Sequence, residues 1–163
     1  HAYRIVDSIH IPVLIVNESH QQYDFKMITA PLDETFHTRE KLPMVSLFGF
    51  AFEAKVSIIG LQKGSSKDSC AHMQSIMNQA SKYVRVKVKQ YQDKLISTKN
   101  EVTDILLSAS EDKADLLVIM SSHEKSLAQM FSVAYAQQVT EKVGMPLLIC
   151  PIRLSTITRG SSV

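Results

Sequence analysis

The feature that most limits the fold is a run with no polar face. In Asp115-Leu-Leu-Val-Ile-Met120 every position after the aspartate is apolar. A strand wet on one side alternates, whereas a strand covered on both sides, as a central parallel strand is, reads as a continuous apolar run. Three further runs share this character: Ile11-Pro-Val-Leu-Ile-Val16, Lys55-Val-Ser-Ile-Ile-Gly60 and Met145-Pro-Leu-Leu-Ile-Cys150. Phe25-Lys-Met-Ile-Thr-Ala30 is another strand, which Pro31 is expected to end because proline donates no ladder bond.

Helical spacing fills the intervals. Met44, Leu47, Phe48 and Ala51 repeat at i, i+3, i+4 and i+7, with Pro43 in the first turn and Thr35 or Thr38 as cap. Met73, Ile76, Met77 and Ala80 do the same behind a cap at Asp68 or Ser69. Val102, Ile105, Leu106 and Ala109 form a third stripe, capped by Asn100 or Ser97. Residues 126–143 read as a fourth helix that Gly144 stops. Residues 83–90 alternate, with Val84, Val86 and Val88 opposite Arg85, Lys87 and Lys89. That pattern predicts an edge strand protected by its cations.

Strand and helix in alternation predict an α/β protein with a doubly wound five-stranded parallel sheet. Placing the half-polar strand at an edge and the apolar ones in the middle gives the order 3-2-1-4-5, counted from Phe25. Ligands of such sheets bind where the strand order reverses, at the carboxyl ends of strands 1 and 4. Asp33 and the loop 121–125 fall there.

The chain is 163 residues long, enough for a single domain with a normal core. Its 18 basic and 16 acidic residues leave a net charge of +2 and no bulk attraction to nucleic acid or membrane. Cys70 and Cys150 form no CxxC pair and read as reduced thiols of a cytoplasmic protein. No apolar run reaches the roughly 20 residues of a membrane span. Residues 11–16 are too short for a signal peptide, and His1 reads as a cut point rather than a natural start.

The end of the chain has an echo at its beginning. With Pro12 set on Pro146, Ala2 meets Ala136, Ile5 meets Val139, Asp7 meets Glu141 and Ile9 meets Val143. Val13-Leu-Ile-Val16 then meets Leu147-Leu-Ile-Cys150. Residues 1–22 are therefore read as the last helix turns, last strand and linker of a preceding copy. Residues 23–153 form the complete domain and 154–163 a tail. The orphan strand is too apolar for water, and its natural partner is its own equivalent. Ile11, Val13 and Ile15 are expected to extend the sheet antiparallel beside Leu147 and Ile149, within the chain or across a dimer.

Taken together, Met27-Ile-Thr-Ala-Pro-Leu-Asp33, Val56-Ser-Ile-Ile-Gly-Leu61, Ala114-Asp-Leu-Leu-Val-Ile-Met120 and Gly144-Met-Pro-Leu-Leu-Ile-Cys150 resemble the universal stress protein family in order and spacing. The resemblance spans about residues 24–153, with the end of a second copy at 2–16. It implies the same five-stranded sheet, a homodimer or tandem pairing through the last strand, and a cytoplasmic location. Some members bind ATP, using an aspartate after strand 1, which Asp33 matches. They also use a loop after strand 4 of the form Gly, two residues, Gly, nine residues, Gly, then Ser or Thr. Glycine there lets phosphate approach the backbone N–H groups. Here Ser121 stands at the first glycine and Glu124 at the second. Phe131 precedes Ser132 at the third after a shorter spacer. Two like charges about 4 Å apart cost about 4 kcal/mol at an effective dielectric near 20, so Glu124 opposes a phosphate, with Lys125 offsetting part of this.

The nucleotide-site candidates carried by the resemblance are Asp33, Ser121, Ser122, His123, Ser126 and Ser132. Asp33 equally fits a helix cap. No catalytic residue is assigned. Ser122-His123-Glu124 resembles a triad only in letters, since adjacent side chains do not converge and no GxSxG turn is present. The six histidines show no metal-ligand spacing. There is no GxGxxG or GxxxxGK[ST] loop.

The expected function is a non-catalytic stress-response or regulatory module acting by dimerisation and binding of a protein partner. It has no resident cofactor, ATP included, no metal, and no nucleic-acid or membrane partner. The alternative is a nucleotide-binding domain with a divergent loop. A third possibility is a cytoplasmic regulatory domain of a transporter.

Overall fold

The computed structural model describes residues 11–16, 24–64, 66–121 and 144–152. Six strands form one sheet: β1 (Val13–Ile15), β2 (Met27–Leu32), β3 (Lys55–Gln62), β4 (Gln90–Ser97), β5 (Leu116–Met120) and β6 (Leu147–Cys150). A 3₁₀ turn (His37–Lys41) leads into α1 (Leu42–Ala51), with α2 (Lys67–Arg85) and α3 (Glu101–Glu111) following. The spatial order is β1-β6-β5-β2-β3-β4. Counted from β2 this is the expected 3-2-1-4-5, with β1 added antiparallel outside β6 and every other pairing parallel.

Alternation along the strands divides the core in two. Leu116, Val118 and Met120 of β5 join Ile28, Val56 and Ile58 under α1 and α2, where Met73, Ile76, Met77, Ala80 and Val84 pack. Leu117 and Ile119 turn to the other face with Leu147, Ile149, Ile105 and Ala109, under α3. Every residue of β5 is buried, as its unbroken apolar run requires. The Asp115 carboxylate fastens the sheet's central pair at its start. It accepts the backbone N–H of Lys26 at 2.8 Å and of Met27 at 3.0 Å.

Four expectations need correction. The edge strand is residues 90–97, not 83–90. Residues 83–85 complete α2, whose stripe Met73, Ile76, Met77, Ala80 continues to Val84. Val86 is exposed. Pro31 does not end β2, which continues to Leu32 beside β3. The β2–β5 pairing covers only Ile28 and Thr29, so the N–H that proline lacks is missing where no β5 ladder bond is made. In α1 the buried residues are Leu42, Val45, Ser46 and Gly49, while Leu47 is exposed. That helix is apolar all round, so spacing alone does not choose its inner face. Of the caps, Ser66 rather than Asp68 or Ser69 serves α2, accepting from the Ser69 N–H. Asn100 serves α3 as expected, and no side chain caps the 3₁₀ turn or α1.

Candidate functional site

The carboxyl ends of β2, β5 and β6 converge where the strand order reverses. β2 delivers Asp33. Its side chain is committed locally: Oδ1 accepts the Thr35 backbone N–H at 2.9 Å and the Thr35 hydroxyl at 2.6 Å. Its own N–H donates to the Thr38 hydroxyl at 3.2 Å. This turn directs the chain into the 3₁₀ helix, whose period of three puts Thr38 and Lys41 on one face. Both are buried, and Lys41 is only 3 % exposed.

Lys41 is the unexpected member of the site. Burial pushes its ammonium down to about 8, while the charge of Asp33, and then Cys150, holds it partly up. Cys150 ends β6. Burial raises its thiol to about 11, opposed by the charge of Lys41. Ser121 follows β5 and donates its N–H to the Cys150 carbonyl at 2.7 Å, closing the two strand ends together. Carboxylate, ammonium and thiol thus influence one another electrostatically near the strand ends. The chemistry there is that of a buried cation with one half-buried counter-charge, suited to holding a negative group or to tying the strand ends together.

Of the nucleotide-site candidates, the structure places Asp33 and Ser121 at these strand ends. Ser122, His123, Ser126 and Ser132 lie outside the described residues, as do Glu124 and Phe131. Among the described residues no group of three His, Cys, Asp or Glu side chains is placed to hold a metal. From the sequence, Lys41 reads only as part of a first helical turn with Glu40 and Pro43. The i, i+3 pairing of Thr38 and Lys41 before a proline-initiated helix was the available signal. The strand-pairing residues behave as follows: Val13 lies opposite Ile149 and Ile15 opposite Leu147, within the chain. Ile11 lies before β1 and is exposed.

No protein-family model matches the chain, and no curated protein sequence does. Solved structures do. A universal stress protein in complex with cAMP aligns with a TM-score of 0.62 at 16 % identity, over 79 % of this chain and 98 % of that one. A universal stress protein from Archaeoglobus fulgidus in complex with dAMP aligns with a TM-score of 0.56 at 16 % identity, over 78 % and 97 %. Another, from Archaeoglobus fulgidus DSM 4304, aligns with a TM-score of 0.61 at 14 % identity, over 91 % of this chain and 54 % of that one. The chain shares the fold of these universal stress proteins. Among the described residues no helix is long and apolar enough to cross a membrane.

Proposed function

We propose that the chain is a universal-stress-type domain, the second copy of a tandem protein. It acts in the cytoplasm as a non-catalytic stress-response or regulatory module, through strand pairing and partner binding. The observation that carries the tandem reading is β1. It lies antiparallel on β6 in the register Val13 to Ile149, and its sequence repeats that of β6. The last strand of one copy beside the last strand of the next produces this arrangement. The unequal coverage supports it: the neighbour matched over 91 % of this chain is itself covered only to 54 %, whereas the cAMP-bound neighbour is used to 98 % of its length.

The degenerate-loop reading rests on Ser121, Glu124 and Phe131 standing where glycines would. Two features of the strand ends agree with it. Asp33 is spent on Thr35, and Lys41, which feels its charge, is buried. The second reading is nucleotide binding through a divergent loop. It is favoured by the cAMP and dAMP bound to neighbours of the same fold and by a buried cation that would attract phosphate.

Calorimetric titration with ATP and with cAMP separates the two. The first reading expects no heat of binding up to ~1 mM ligand. A dissociation constant at or below ~10 μM, or nucleotide carried through purification, overturns it in favour of the second.

A further inference from the structure

We draw no further inference here: the strongest candidate, the exposed apolar surface patch along α1 to which Phe36, Leu47, Phe50 and Val86 contribute, carries nothing because nothing in the structure shows what covers it.

Discussion

Lys41→Met should make the protein more stable at neutral pH, and the margin should vanish as pH rises. In the folded chain burial brings the Lys41 ammonium from 10.5 to about 8. Between those values the unfolded chain holds the proton and the folded chain does not. Unfolding free energy therefore rises with pH through that window, and below it the full cost of the buried charge is present. At about 1.4 kcal/mol per tenfold change in proton affinity, the cost is about 3 kcal/mol.

Methionine matches the length of the lysine stem and carries no charge. At pH 7 the variant should be more stable by up to about 3 kcal/mol, and near pH 10.5 only the packing difference should remain. Cys150 acts with the opposite sign. Its thiol is raised from 9.0 to about 11 by burial, so the unfolded chain loses that proton first and stability falls across that interval. The wild-type profile should rise from pH 8 to 9 and then level off as the two oppose each other. Lys41→Met should show only the fall, and Cys150→Ala only the rise. Urea titrations at pH 7, 8, 9 and 10, followed by circular dichroism, read this directly. A Lys41→Met protein no more stable than wild type at pH 7, with a parallel pH profile, would refute the account of Lys41 as a desolvated cation.

Two further outcomes are expected. A Cβ at Gly49 would stand 2.7 Å from Val88 Cγ1 and 2.8 Å from Val56 Cγ2, both on stiff branched side chains. Gly49→Ala should gain about 1 kcal/mol in helix propensity and lose more to overpacking, lowering the urea midpoint; an unchanged or higher midpoint counts against the close contact. Asp115→Ala should orphan the N–H groups of Lys26 and Met27 and cost about 1–3 kcal/mol. A thermal melt checks this, with Asp115→Asn losing less.

What the sequence made legible depends on how uniquely each residue pattern maps to one environment. The unbroken run of β5 has a single sensible place, between two covered faces, and the sheet order followed from it. The repeat at Val13 to Ile15 identifies the antiparallel partner, because a strand and its equivalent can share an edge.

The edge strand was misplaced because Val84, Val86 and Val88 satisfy two periods at once. Val84 continues the helical stripe of Met73, Met77 and Ala80, while alternation claims it for a strand. The true strand, Gln90–Ser97, is partly exposed along its length and sends no clean signal of its own. At the site, Asp33 and Ser121 were found because strand order alone locates the reversal. Lys41 was not, because whether a lysine in a polar stretch is buried is decided by how the 3₁₀ turn packs across β5, a contact far away in sequence.

The pairing of β1 with β6 also limits how the sheet can grow. An open parallel edge is a template on which further strands can add without end. Here that edge of β6 is occupied, and the new edge is three residues long and runs the other way. A strand arriving from another molecule would find few backbone groups in register. On this side β1, antiparallel to β6, covers the parallel edge among the described residues.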